Sequence, residues 1–391
     1  MKWVLSISYG EHDASICLLK DNDVKLFIQE ERSSRIKRDS TFPLSCLKYI
    51  KNYTNIIDLV VFGNATKDPN YQCNGVLRSF SKNNISVLDH HVDYSHHHIY
   101  HAASGFYNSG FEKATIIVID GWGGSGERSI GKGSPSGEEV RCAETTSIYS
   151  ASYPSKINLL FKNYVYEPEL MLEVHEDLFE KQELEQSGYI CNLSNHLDIG
   201  VIYGVISNFL GFSALDGGKT MGLSSYGKEN AKIPSIFSEN RSFSNMNLFR
   251  MNREINTKIY PYLKDMSSFQ KKADLAYSVQ KALEEIFISK VEFALKYGDS
   301  NNIVLSGGCA LNVVANSVLK RKFPNVNFYI DPIPHDAGQS FGIGKYFYHD
   351  ITGSEEIKPM NGLFTGPEYS LEDLKTSIKN KIQKISHESD Q

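Results

Sequence analysis

The sequence predicts an α/β protein built from two lobes with a cleft between them. A chain of 391 residues is long for one compact unit, since single domains usually have about 100–200 residues. Hydrophobic residues make up 41% and charged residues 22%, with 29 glycines against 12 prolines, which is typical of a globular α/β protein. Two buried-looking strands, 114–119 and 302–306, end in glycine turns, where an α/β fold exposes side chains to its cleft.

The composition argues against several classes of protein. The formal charge is −5, so the protein lacks the net positive charge that attracts nucleic-acid phosphates. A nucleic-acid partner is therefore not expected. The six cysteines contain no C-x-x-C pair, which indicates reduced thiols of a cytoplasmic protein rather than a disulfide frame or a zinc cluster. The first residues lead into a strand instead of a signal peptide or a span of about 18 apolar residues. We therefore expect no membrane association.

The first 63 residues predict a β-meander, a helix and a buried strand. The meander strands are 3–8, 14–19 and 24–29, and the later elements are a helix at 43–53 and a strand at 57–63. The turn that carries Gly10, His12 and Asp13 either presents backbone N–H groups to a phosphate or is an ordinary polar turn. The basic segment that follows the meander is either a solvated surface or a loop that brings Lys37 or Arg38 to the cleft.

A histidine-crowded segment follows, in which six of the twelve histidines lie between His90 and His101. His97 and His101 are four residues apart, so on a helix they project from one face and can bind one metal ion. Asp120 ends the strand 114–119 and could supply a third ligand. The alternative is a polar helix face that carries solvated histidines.

The middle of the chain gives weaker signals. Residues 125–198 look irregular, with a mobile turn at 131–138 and an acidic helical insertion at 167–185, and residues 200–212 have the apolar spacing of a helix. The glycine-rich stretch around Asp216 and Lys219 predicts a loop that either approaches a ligand or is purely structural. It lacks the spacing of a P-loop.

A second strong element follows the amphipathic helix predicted at 266–297. The strand 302–306 stops at Gly307 and Gly308, and the helix predicted to begin there would point unpaired N–H groups at a nucleotide, with Asn312 available to hydrogen-bond it. Asp336 precedes a further predicted helix. With two histidines and Asp120 it would complete a four-ligand site that suits Fe(II), Zn(II) or Mn(II) better than Ca(II).

These motifs together resemble the cytoplasmic O-carbamoyltransferases of the nodulation-factor and antibiotic-tailoring type. The similarity covers nearly the whole chain. Its motifs are His12-Asp-Ala-Ser, Glu30-Glu-Arg with Arg35-Ile-Lys, His97-x-x-x-His101-Ala-Ala-Ser, Asp120-Gly, Gly218-Lys-Thr-Met-Gly-Leu with Tyr226-Gly, Ser306-Gly-Gly-Cys-Ala-Leu-Asn and His335-Asp-Ala-Gly.

The resemblance implies the two-lobed fold of the actin, sugar-kinase and heat-shock-chaperone (ASKHA) ATPases, which is shared with the metalloprotein that transfers threonylcarbamoyl groups to tRNA. We accordingly predict lobe I over 1–124 with the histidine helix, lobe II over 125–350 with the nucleotide turns, and a tail over 351–391.

The resemblance also implies a reaction. ATP and carbamoyl phosphate form carbamoyl-adenylate, and the carbamoyl group then passes to a hydroxyl of a small molecule or modified nucleoside. The implied metal ligands are His97, His101, Asp120 and Asp336, with Fe(II) as first choice and Zn or Mn as alternatives. His12 is the candidate general base, Lys37 a charge-neutralising group and Asp216 a group that positions the acceptor; Gly10, Gly307, Gly308 and Asn312 would hold the nucleotide.

Full members of this group continue past the Gly366-Pro-Glu-Tyr motif into a domain that makes the adenylate. We expect that domain to be a separate chain, or the sequence to be a shortened form, or the first half-reaction to be lost. Two other classes remain open: a sugar-kinase-like ATPase of the same fold, which needs no His-x-x-x-His helix, and a catalytically silent nucleotide-binding subunit.

Overall fold

The computed structural model describes residues 2–10, 12–63, 69–93, 96–129, 139–166, 182–183, 189–194, 197–237, 248 and 255–389. Within these ranges the strands are β1 (Trp3–Ser8), β2 (Ser15–Lys20), β3 (Asp23–Gln29), β4 (Ile56–Gly63), β5 (Ser86–Asp93), β6 (Lys113–Ile119), β7 (Ser125–Ser129), β8 (Glu139–Ser152), β9 (Lys156–Tyr166), β10 (Gln182–Glu183), β11 (Ile190–Ser194), β12 (Asn302–Ser306) and β13 (Asn327–Ile330). The α-helices are α1 (Glu30–Ser34), α2 (Leu44–Leu47), α3 (Pro69–Lys82), α4 (His97–Ser109), α5 (Ile199–Phe209), α6 (Gly217–Ser224), α7 (Phe269–Tyr297), α8 (Val313–Lys322), α9 (Gln339–Thr352) and α10 (Leu371–Ser389).

The first sheet has the strand order β3-β2-β1-β4-β5. β1, β2 and β3 form the antiparallel meander that the sequence predicts, while β4 and β5 run parallel to β1. Side chains of β1 alternate between two apolar layers: Val4 packs with the α4 and α9 residues Tyr100 and Phe341, and Leu5 packs on the other face with Phe80 of α3. The sheet is therefore covered on both faces, which explains its continuous apolar strands.

The second sheet has the order β10-β11-β9-β8-β6-β12-β13, with β7 paired to β8. β6 lies near its middle, antiparallel to β8 and parallel to β12. One face packs on α5 and α7, and the other packs on α4. The strand before Asp120 thus belongs to the second sheet, although it lies within the range predicted for lobe I. The division of the chain into domains remains a prediction.

Helices α4 and α9 fill the space between the two sheets. They approach so closely that a Cβ added to Gly342 of α9 would lie 2.1 Å from the backbone oxygen of Tyr100 in α4. A side chain at this position would force the helices apart, since well-packed interiors accept little added volume. This contact fixes the start of α4, with its two histidines, next to the turn that precedes α9.

Several other expectations were wrong. The stretch expected to be irregular contains the long antiparallel pair β8 and β9, and the glycine-rich stretch after Asp216 forms the helix α6 rather than a loop. The helix expected at 43–53 is reduced to α2 and a 3₁₀ turn at Ile50–Asn52. The predicted turn at 131–138 and most of the predicted acidic insertion at 167–185 lie outside the described residues.

The segment that follows α9 runs back along the first sheet. Phe27 of β3 donates its N–H to the oxygen of Thr365, and the buried ammonium of Lys345 donates to the backbone oxygens of Asn22 and Lys358. No helix in the described part of the chain is long and apolar enough to cross a membrane.

Candidate metal centre

Helix α4 presents His97 and His101 from one face, as the sequence predicts. Both imidazoles are buried, and their Nε2 atoms lie 3.1 Å apart. The helix has no side-chain cap at its first residues; instead the Oε1 atom of Glu144 in β8 accepts a hydrogen bond from the backbone N–H of His98 at 2.9 Å. A carboxylate is the group that a helix N-terminus favours.

Two carboxylates complete the cluster. Asp120 follows β6 directly, and its Oδ2 lies 3.2 Å from His97 Nε2 and 3.6 Å from His101 Nε2. Asp336 begins the 3₁₀ turn before α9, and its Oδ1 lies 3.4 Å and 3.2 Å from the same two nitrogens. Residues from positions 97 to 336 of the chain therefore meet at one point.

The donor set fits a divalent transition metal. One donor atom from each of His97, His101, Asp120 and Asp336 lies within 4.8 Å of all the others, and all four residues are buried. Bonds of about 2.0–2.2 Å to imidazole nitrogen and carboxylate oxygen place neighbouring donors about 3 Å apart or slightly more, which matches the separations found. Two imidazoles and two carboxylates suit Fe(II), Zn(II) or Mn(II).

Charge accounts for the protonation of the cluster in the absence of a metal. Burial opposes a charged imidazole, but Asp336 and Asp120 outweigh it and raise the pKa of His97 to about 10. The pKa of His101 is also raised, by hydrogen bonds to the same two carboxylates against the effect of burial. Conversely, the imidazoles hold the pKa of Asp120 and of Asp336 well below the ordinary value despite their burial.

The turn between β1 and β2 brings His12 to the edge of this cluster. Its Nδ1 lies 2.8 Å from Asp13 Oδ2 and 3.6 Å from Asp336 Oδ2. Burial opposes its charged form, but the bond to Asp13 and the charge of Asp336 raise the pKa of His12 to about 9. Gly10 lies in the same turn, directly after Tyr9.

Lys37 and Asp216 also meet. Lys37 Nζ lies 3.3 Å from Asp216 Oδ1, and the carboxylate is contacted as well by Arg38 at 2.9 Å and Lys219 at 2.8 Å. Arg38 also donates to the oxygen of Leu215. Hydrogen bonds from Lys219, Arg38 and Lys37 lower the pKa of Asp216. This cluster joins the segment between β3 and β4 to the start of α6, and Arg38 bonds both Asp216 and Leu215 whereas Lys37 bonds Asp216 alone.

The glycine turn after β12 supports the carboxylate cluster. Gly307 has a φ of +83°, and a Cβ there would lie 2.5 Å from the oxygen of Ile119, so only glycine fits. The N–H of Gly308 donates to Asp120 Oδ1 at 3.1 Å and so orients that carboxylate.

Asn312 has a structural role in this arrangement. Its Oδ1 accepts from the N–H of Ala315 at 2.9 Å, which caps α8, and its amide exchanges hydrogen bonds with Gln280 at 2.8 and 3.0 Å. The Asn312 side chain could contact a nucleotide only by giving up some of these hydrogen bonds.

Sequence reasoning missed two features of the site. Glu144 and Lys162 form a buried ion pair beneath the start of α4, and Gln339 points its amide into the cluster. Gln339 lies three residues after Asp336, a spacing that a helical pattern could have revealed. Other histidines of the crowded segment bond elsewhere. His98 bonds Ser147 Oγ through its Nδ1 at 2.7 Å, and His96 Nδ1 lies 2.8 Å from Asp93 Oδ2.

A buried cluster of imidazoles and carboxylates between two sheets defines the class of protein: an α/β protein with a candidate metal centre. Comparison with known proteins then gives the family. A family model described as carbamoyltransferase N-terminus matches residues 74–344, which is more than half of the chain. The protein therefore belongs to the carbamoyltransferase family, as the resemblance predicted.

Individual relatives agree with this assignment. Nodulation protein NolNO of Sinorhizobium fredii is 24% identical over 91% of this chain and 49% of its own length. An uncharacterized protein of Synechocystis is 23% identical over 97% of this chain and 63% of its own length. The chain thus spans about half to under two thirds of the length of these curated relatives.

Solved structures support the fold. Full-length HypF in its phosphate- and nucleotide-bound form has a TM-score of 0.50 at 14% identity over 90% of this chain and 56% of its own. HypF of T. kodakarensis has a TM-score of 0.51 at 14% identity, with 90% and 48% covered. Together with the two mixed sheets, these similarities confirm the predicted α/β fold.

We predict that Glu144→Gln destabilises the protein by about 3–5 kcal/mol, because it leaves the buried ammonium of Lys162 without a charged partner. Urea unfolding followed by tryptophan fluorescence measures the change, and Trp122 reports on this region. The double variant Glu144→Gln/Lys162→Met should recover most of the loss. A single variant as stable as the unsubstituted protein would contradict the prediction.

We also predict that metal uptake near neutral pH releases protons. With the pKa of His97 raised to about 10, the metal-free site holds protons that a metal must displace from the imidazoles. These protons stabilise the metal-free fold fully below the ordinary histidine pKa of about 6.5, and that stability is lost as pH rises through about 10.

Calorimetry of metal binding in buffers of different ionisation enthalpy measures the release. We expect more than one proton per metal ion near neutral pH and almost none above the pKa of His97. The exposed His90 on β5 provides the control: His90→Ala should behave as the unsubstituted protein, while His97→Ala should lose metal binding. Metal uptake without proton release would contradict the assignment.

Proposed function

We propose that this protein transfers a carbamoyl group from carbamoyl-adenylate, made from carbamoyl phosphate and ATP, to a hydroxyl of a small molecule or modified nucleoside. The observation that carries the proposal is the position of His12: its Nδ1 lies 3.6 Å from Asp336 Oδ2, beside the cluster in which Asp120 is oriented by the N–H of Gly308. A candidate base, a metal-type centre and a glycine turn thus share one site within a carbamoyltransferase-family chain.

The proposed step is an acyl transfer. The acceptor oxygen forms a bond to the carbamoyl carbon, the bond from that carbon to the phosphate oxygen breaks, and AMP leaves as an anion. The hydroxyl proton passes to His12, which later returns it to solvent. A divalent metal bound by His97, His101, Asp120 and Asp336 would neutralise negative charge on the phosphate as that bond breaks.

His12 must be neutral to accept the proton. In the metal-free arrangement the bond to Asp13 and the charge of Asp336 outweigh burial and raise its pKa to about 9. When the charges of Asp336 and Asp120 are neutralised by a cation, part of this effect is removed and the pKa of His12 moves back toward its ordinary value. Occupation of the metal site and the activity of the base are therefore linked.

The remaining residues serve binding in this proposal. Lys37 and Arg38 neutralise developing negative charge, and Asp216, which they contact, positions the acceptor. Gly10, Gly307 and Gly308 border the nucleotide, and Asn312 acts indirectly by capping α8 behind the glycine turn. A fold relative, HypF, is described in a phosphate- and nucleotide-bound form, which supports a nucleotide as a ligand of this fold. The chain spans only part of the length of its relatives, and the proposal for its own residues concerns the transfer step.

The test supplies carbamoyl-adenylate and a panel of hydroxyl acceptors to the metal-loaded protein and measures AMP release and acceptor carbamoylation by chromatography. We predict turnover that requires the metal, and a loss by a factor of about 10²–10⁴ in His12→Gln with adenylate binding retained. The rate should rise with pH through the pKa of His12 in the unsubstituted protein and lose this dependence in the variant. His90→Gln serves as the histidine control.

The rival functions give different results in the same assay. Binding of the nucleotide without turnover of any acceptor would identify a silent subunit. Transfer of phosphate from ATP to a sugar by a metal-free protein would identify a sugar-kinase-like enzyme. Either result would overturn the proposal.

A further inference from the structure

Gln339 lies deep in the metal-type centre although no motif marks it. It is the first residue of α9 and its side chain is fully buried. The amide Nε2 lies 3.1 Å from each of His97 Nε2, His101 Nε2 and Asp336 Oδ1, and also 3.1 Å from His97 Nδ1. The end of this amide therefore touches three of the four donor groups at once.

These distances place the amide end where a ligand would lie. The three contacted atoms are separated from one another by 3.1, 3.2 and 3.4 Å, so the four atoms form a nearly regular tetrahedron. An atom in the metal position would lie about 2.0–2.2 Å from each donor, much closer than 3.1 Å. The amide end therefore lies beside the position of the ion and not in it, against the donor atoms that would bind the ion.

The orientation of the amide is not fixed by its surroundings. The oxygen and nitrogen of a glutamine have nearly the same shape, and which end faces inward is an assignment made from hydrogen bonds. The outward Oε1 has no hydrogen-bond partner among the described residues. With nitrogen inward, the amide hydrogens lie against three imidazole nitrogens, including the Nε2 atoms of His97 and His101 whose lone pairs a metal would use. With oxygen inward, the amide offers a neutral lone pair to the metal.

We propose that Gln339 is a fifth protein ligand of the metal centre, bound through Oε1, a role that rests on the proposed metal site. Two imidazoles, two carboxylates and one amide oxygen leave a single open position on a six-coordinate ion. That position would take one phosphate oxygen of the substrate. Five protein ligands favour Fe(II) or Mn(II) over four-coordinate Zn(II).

The alternative role for Gln339 is to orient Asp336. In that arrangement the nitrogen stays inward and donates to Asp336 Oδ1. Two substitutions separate the roles: Gln339→Glu keeps an oxygen donor but has no N–H, and Gln339→Met keeps the length of the side chain and removes both groups.

The experiment measures dissociation constants for Fe(II), Mn(II) and Co(II) by competition with a chromophoric chelator under anaerobic conditions, together with the visible spectrum of the Co(II) protein. We expect Gln339→Met to weaken binding about 10–100-fold, the range seen when supporting metal-site residues are lost, and to intensify the Co(II) absorption as coordination falls. Gln339→Glu should bind at least as tightly as the unsubstituted protein with an unchanged coordination number. Gln270→Met, a glutamine at the start of α7, is the control.

Three results would overturn parts of this account in distinguishable ways. If Gln339→Met keeps the affinity and the spectrum, Gln339 is not a ligand. If Gln339→Glu loses as much affinity as Gln339→Met, the amide donates through its nitrogen to Asp336. If the unsubstituted protein binds no metal, the proposed centre itself fails. Should Gln339→Met not fold, Gln339→Ser, which is too short to reach the ion, gives the same comparison.

Discussion

Two carboxylates buried against two imidazoles are the constraint on which the rest of the site depends. Asp120 and Asp336 together carry two negative charges in a place with little access to solvent, and isolated buried charges are costly. Two protons on His97 and His101 offset that charge, and so does one divalent cation bound to neutral imidazoles. The two states have the same net charge, so the protein can fold around the protons and later exchange them for a metal.

This constraint also explains the packing between the sheets. The imidazoles come from the start of α4, one carboxylate from the end of β6, and the other from the turn before α9, so the cluster forms only when α4 is packed on the second sheet beside the start of α9. The close approach of α9 to α4 at Gly342 holds the start of α4 beside the start of α9. The buried pair of Glu144 and Lys162 then holds the first turn of α4 from below.

The sequence predicted the parts of the site that depend on local spacing. The i, i+4 histidines, the strand that ends at Asp120 and the turn after β12 follow from helical and strand periodicity. The pair β8 and β9 was missed because its inward residues, such as Glu144 and Thr145, are polar and break the alternating pattern. The helix α6 was mistaken for a loop because its glycines predict a loop. The buried contact between Ser207 and Thr220 of α6 cannot be read from a sequence. Gln339 was missed because its two histidine partners lie more than two hundred residues away in the chain.

The central claim is that one divalent metal ion binds where the four donor groups meet. Anomalous diffraction from crystals of the protein as purified, recorded on both sides of the iron, zinc and manganese absorption edges, tests it most directly. The account predicts a single anomalous peak within bonding distance of His97, His101, Asp120 and Asp336. Crystals that were grown with metal available but show no peak there, or show a peak only at another site, would contradict it.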